Sequence, residues 1–182
     1  MTARPGDFGV VHVQGAVGWL IRIGQWILGD GFADYEHAFV VVDADADGLR
    51  IVEAEPRGAR CVHLSIYSGR DIRIYQAPDE ARDGIVAAAM GLVGTPYSFL
   101  DYAALALWRF KILDHRIAAA SVILRGYVQA VGHMMCSQLV DYSYELAGVH
   151  LFTDGRLPQD VTPADLYQLI QAQQRAMAPD GA

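Results

Sequence analysis

HAFVVVDADADGLRIVEAEP, residues 37–56, decides the fold. A β-branched run, an acidic segment closed by Gly48, and a second β-branched run read as two antiparallel strands joined by a tight turn. Side chains alternate along a strand, so Glu53 and Glu55 share one face. Two acids in so apolar a run require a partner. His37 shares their face only if paired residue numbers across the hairpin sum to an even value. A three-residue loop at 44–46 sets Glu53 across from His37, and a five-residue loop at 44–48 sets Glu55 there. A two-residue Asp47-Gly48 turn gives an odd sum and separates them. Asp43, Asp45, Asp47 and Gly48 also match the first half of a calcium-binding EF-hand loop. The second half fails, because loop position twelve falls on Ala54 and strand-like sequence flanks the loop, so the segment reads as a solvated turn.

Outward from the hairpin, Gly9–Val13 reads as a short strand. AVGWLIRIGQWIL, residues 16–28, follows with Val17, Leu20, Ile21, Ile27 and Leu28 at helical spacing. RCVHLSIY (60–67) and IRIYQAP (72–78) read as two more strands, and EARDGIVAAAMGLV (80–93) as a helix stopped by Gly94 and Pro96. Residues 102–131 are helical in tone but broken by charges, which suits two amphipathic helices. A helical pair on the core, a lid, and a membrane-surface element are the three readings of this stretch. MMCSQLVDYSYELAGV (134–149) places Cys136, Leu139, Val140, Ser143 and Ala147 on one helical face, with Gly148 as its stop. Beyond Leu169 few apolar anchors remain and fraying is expected. The expectation is an α+β fold, a small antiparallel sheet or partial barrel packed on the helix that starts at Cys136. Residues 1–170 form one domain with a helical insertion at about 102–131, and 171–182 form a frayed tail.

The 182 residues suit one hydrophobic core. With 14 Lys and Arg against 21 Asp and Glu, the net charge of -7 repels phosphate backbones, and no basic patch offsets it, so nucleic acid is not an expected partner. The N-terminal sequence lacks an apolar signal segment and no 18-residue stretch is free of charge, so a cytoplasmic location without a membrane span is expected. In that reduced compartment Cys61 and Cys136 are expected as free thiols. The oligomeric state is left open.

A cysteine at a helix N-terminus meets unpaired backbone N–H groups and the positive end of the helix dipole, both of which favour a thiolate. Alone, such a residue is better explained as a small core hydrophobe. A thiol nucleophile also needs a base and a group to orient that base. His37 is the candidate base, with Glu53 or Glu55 as the orienting acid. The backbone N–H of Cys136 is the first candidate oxyanion donor; Tyr35 and Ser137 are candidates for the oxyanion or pocket. Cys61, His63, His133 and Cys136 could be imagined around zinc, but their spacing fits no standard ligand pattern and leaves the His37 strand unexplained. No metal or other cofactor is expected.

The motifs GDFGVV (6–11), HAFVVV (37–42), IVEAEPRG (51–58), GTPYSFLDY (94–102) and MCSQLVDY (135–142) occur in that order. In this order the chain resembles the circularly permuted branch of the papain-like NlpC superfamily, the YiiX and YebB type of cysteine hydrolase, with lecithin retinol acyltransferase as a more distant relative. The resemblance covers roughly Pro5 to Leu169. It implies a strand histidine as base, an acid on the next strand, and a cysteine nucleophile starting a late helix. Carried over, these are His37, Glu53 and Cys136, with Glu53 favoured over Glu55 by the acid-alanine pattern. It implies hydrolysis of an amide or peptide bond through an acyl-enzyme, with a peptidoglycan peptide as one candidate substrate. Acyl transfer or hydrolysis on a lipid-like substrate, with a membrane-surface contact through 102–131, is the rival enzymatic reading. A binding module that keeps the fold without turnover is the rival from outside enzymology.

Overall fold

The computed structural model describes residues 3–12, 35–55, 58–95 and 135–178. The helix read at 16–28, the segment 102–131 and the motif from Pro96 to Tyr102 lie outside them. Among the described residues the fold is α+β: a five-stranded antiparallel sheet and three α-helices. The strands are β1 (Phe8–Val11), β2 (His37–Asp45), β3 (Gly48–Glu55), β4 (Gly58–His63) and β5 (Ile72–Tyr75). They lie in the order β4-β3-β2-β1-β5, so β2 is the central strand. The helices are α1 (Arg82–Gly91), α2 (Cys136–Leu146) and α3 (Pro163–Met177).

The central strand is buried on both faces, as its unbroken β-branched run demands. On one side Phe8, Val10, Ala38, Val40, Val52 and Ala54 pack with Ile85 and Ala89 of α1, Leu139, Val140 and Tyr144 of α2, and Leu166 and Ile170 of α3. On the other, Val11, Phe39, Val41, Ile51 and Tyr67 form a second cluster. The GDF segment fastens β1 to α1. The buried Asp7 carboxylate accepts from Arg82 Nη1 at 2.7 Å, from the Ala77 N–H at 2.9 Å and from the Arg4 N–H at 2.8 Å. Gly6 has φ +91°, and a Cβ there would lie 2.9 Å from Arg82 Cα, so the approach requires glycine.

The turn is none of the three loops read from the sequence, yet the register beyond it has the sum of 92 expected of the five-residue loop, which sets Glu55, not Glu53, across from His37. Asp45 pairs with Gly48 across a two-residue turn at Ala46-Asp47, an odd sum. A β-bulge between Val41 and Asp43 then shifts the pairing by one, and Val41↔Ile51, Val40↔Val52 and Phe39↔Glu53 have even sums. One extra residue in β2 restores the shared face that the turn alone would have destroyed. In the turn, Asp43 accepts from the Ala44 N–H and Asp45 from the Asp47 N–H.

Two further boundaries differ from the sequence reading. The strand read through Tyr67 ends at His63, and Leu64–Tyr67 turn as a 3-10 helix. The tail read as frayed from 171 is helical to Met177. Thr162 and Asp165 cap the start of α3 reciprocally behind Pro163. Near its end, Gln173 both accepts from the Gln76 N–H at 2.8 Å and donates to the Gln76 carbonyl at 2.9 Å. A polar anchor thus holds the stretch where apolar ones run out.

Gly9 lies between Phe39 and Ile74 in the sheet, and a Cβ there would fall 2.4 Å from Phe39 Cζ and 2.9 Å from Ile74 Cδ1. Phe39 is fully buried and cannot swing aside. Gly9→Ala is therefore expected to destabilise by about 1–3 kcal/mol through overpacking. Gly91→Ala, with nothing within 4 Å of the new Cβ, should be neutral or mildly stabilising; urea unfolding of both variants checks the contrast.

Candidate active site

His37 opens β2, and Glu53 pairs with Phe39, two residues further along that strand. His37 and Glu53 therefore meet diagonally on one face, within reach of long side chains. His37 Nε2 lies 2.9 Å from Glu53 Oε2. Cys136, the first residue of α2, is the imidazole's other electrostatic neighbour and raises its pKa. Cys136 packs with the residues of the first core cluster. With Nε2 directed to Glu53, Nδ1 is the nitrogen left to exchange a proton with the thiol. Cys136 is 1% exposed, and both cysteines are free.

Glu53 is fully buried, so each carboxylate oxygen must be matched. Oε2 accepts from Tyr67 Oη at 2.6 Å as well as facing His37, and Oε1 accepts from Arg60 Nε at 2.9 Å and Nη2 at 2.7 Å. Burial alone would raise the carboxyl's pKa. The hydrogen bond and charge of His37, with the Tyr67 and Arg60 donors, override it and hold Glu53 at about 2. Burial would likewise lower His37, but interaction with Cys136, then with Glu53, pushes it up to about 10.

The remaining candidates take other places. Glu55 is one-third exposed and pairs with Arg60 at 2.9 Å, leaving Glu53 as the acid on His37. Tyr35 donates to Asp71 at 2.7 Å and accepts from Arg73 at 2.8 Å, while burial pushes its phenol up to about 12. Its hydroxyl is thus committed on the β5 side. Ser137 donates to the Val161 carbonyl at 2.7 Å, tying the start of α2 to the segment before α3. The N-cap position of α2 is Met135, whose side chain makes no cap hydrogen bond. It supplies no oxygen to compete for the first-turn N–H groups.

Cys61 lies 3.3 Å from Arg50 Nη2, His63 lies 3.8 Å from Asp45, and His133 falls outside the described residues. Among the described residues no three His, Cys, Asp or Glu side chains converge to hold a metal ion, and no helix is long and apolar enough to cross a membrane. Arg60 and Tyr67 were not singled out by the sequence. Arg60 could have been, since it pairs directly with Glu53 across β3 and β4. Tyr67 could not, because a strand continued to 67 would carry it about 23 Å beyond that pairing. No protein-family model matches the chain, and no curated protein matches it.

Glu53→Gln should cost about 2–4 kcal/mol, because it removes the buried charge on which His37, Tyr67 and Arg60 converge. Glu53 ordinarily titrates near 4.5 and is held at about 2, so its contribution is complete above 4.5 and lost as pH falls through 2. His37 ordinarily titrates near 6.5 and is held at about 10, so its contribution is complete below 6.5 and lost as pH rises through 10. The wild-type advantage over the variant is thus largest between 4.5 and 6.5 and shrinks on both sides. Urea unfolding at about pH 3, 5.5 and 9.5 reads this profile.

Proposed function

We propose that this chain is a cysteine hydrolase of the permuted papain-like type, cleaving an amide or peptide bond through an acyl-enzyme. The observation that carries the reading is His37, whose Nε2 lies 2.9 Å from Glu53 Oε2 and whose pKa Cys136 raises, with the cysteine at a helix start and the other two residues on neighbouring strands. A structural thiol in a core needs neither an imidazole beside it nor a buried carboxylate behind that imidazole. Both charges cost desolvation energy that apolar side chains would have avoided.

In this reading Cys136 Sγ attacks the scissile carbonyl after its proton passes to His37 Nδ1. A sulfur–carbon bond forms, and the carbonyl oxygen takes up negative charge. In this reading the backbone N–H of Cys136 donates to that oxygen, at a helix start whose dipole adds to the effect. Collapse of the tetrahedral species expels the amine, which takes the proton from His37. Water, deprotonated by the same imidazole, then releases the acid from the thioester. Glu53 keeps the ring oriented and balances its charge without taking the proton, consistent with a carboxyl held at about 2.

A p-nitrophenyl ester and a panel of peptide amides, including peptidoglycan stem peptides, test the chemistry. The expected result is an acyl adduct on Cys136 by mass spectrometry. Turnover should be abolished in Cys136→Ala and reduced by about a thousandfold or more in His37→Gln. Undiminished turnover in Cys136→Ala would contradict the reading. Hydrolysis of a lipid ester with no peptide amide cleaved would retain the nucleophile and change the substrate class.

A further inference from the structure

We propose that Tyr67 and Arg60 are positioning residues of this site, which fix the Glu53 carboxylate so that one oxygen stays directed at His37 Nε2. The inference rests on the hydrolase reading above and adds a layer of residues behind the triad. An ionised carboxylate offers about four acceptor directions. Here the two Arg60 nitrogens occupy Oε1, and Tyr67 and His37 occupy Oε2. Rotation of the carboxylate would break several short, charge-assisted bonds together, which confines it to one plane.

The two positioning residues differ in weight. The Arg60 side chain is 45% exposed and also serves Glu55, so water screens and divides its charge. Tyr67 is buried, and its ring stands 5.9 Å from the His37 ring at 49°, while stacking on Phe39 at 6.3 Å. It therefore both shields the imidazole and supplies the shortest bond to Glu53. Burial, then the hydrogen bond to Glu53, raise the phenol above the usual tyrosine range, so it remains a donor at any working pH. A carboxylate already receiving three protein donors is a poor base. The Nε2 proton stays on His37, and the exchanging proton is confined to the Nδ1 side facing Cys136.

The test uses the full chain and two readouts. Site-resolved mass spectrometry follows iodoacetamide alkylation of Cys136, with Cys61 as the internal reference, and carbon NMR follows the Glu53 carboxyl through an acid titration. In Tyr67→Phe, which keeps the ring and removes only the donor, Cys136 alkylation should slow about tenfold while Cys61 is unchanged. The Glu53 midpoint should rise from about 2 toward 4.5. Arg60→Gln should slow alkylation only about twofold to threefold, and Arg60→Lys less. An unmoved Glu53 midpoint, or unchanged Cys136 alkylation in Tyr67→Phe, overturns the inference. Full turnover in Cys136→Ala would instead overturn the hydrolase reading, and the carboxyl titration would still decide whether Tyr67 holds Glu53.

Discussion

A carboxylate removed from water must find donors for its oxygens or give up its charge, and Glu53 has found them. His37, Tyr67 and Arg60 converge on it from β2, from the 3-10 turn after β4, and from β4 itself. Several features of the fold serve that convergence. The bulge in β2 brings His37 onto the face of Glu53, and the break at Leu64 returns Tyr67 to it. Ser137, bonded to Val161, holds the start of the helix that carries Cys136.

The chain from carboxylate to imidazole to thiol joins packing to chemistry. His37 lies where burial opposes its charge, yet interaction with Cys136 and Glu53 outweighs that penalty. Such an arrangement expends stability on ionised groups inside a core, as functional sites often do. The proposed acyl transfer needs what this provides: a base fixed in orientation, a nucleophile next to it, and backbone donors at a helix start. Pocket walls and loops select the substrate, so the same chemistry is open to a peptide, another amide or an ester.

Much of this was legible in the sequence because it rests on short periods. The alternation in HAFVVV and IVEAE marks a hairpin, and it makes two acids in an apolar run conspicuous. The helix at Cys136 follows from its apolar stripe and Gly148. The bulge was not legible, since nothing about Val42 as a residue type signals an extra position in the strand. Its effect was to make a two-residue turn compatible with a pairing that counting alone would reject. Tyr67 was hidden for a related reason: LSIY looks like strand, and only tertiary contact with Glu53 favours the tighter turn. The length of α3 depends on Gln173 meeting the backbone of Gln76, a contact between residues far apart in sequence.

The central claim, that Cys136, His37 and Glu53 form one coupled unit, is tested most directly by nitrogen NMR of the His37 ring across pH. The account predicts an imidazolium, protonated on both nitrogens, that titrates near 10 in the wild type. In Cys136→Ala the titration should move down, because the interaction with Cys136 that raises it is gone. A ring that titrates near its ordinary 6.5 in both proteins would contradict it.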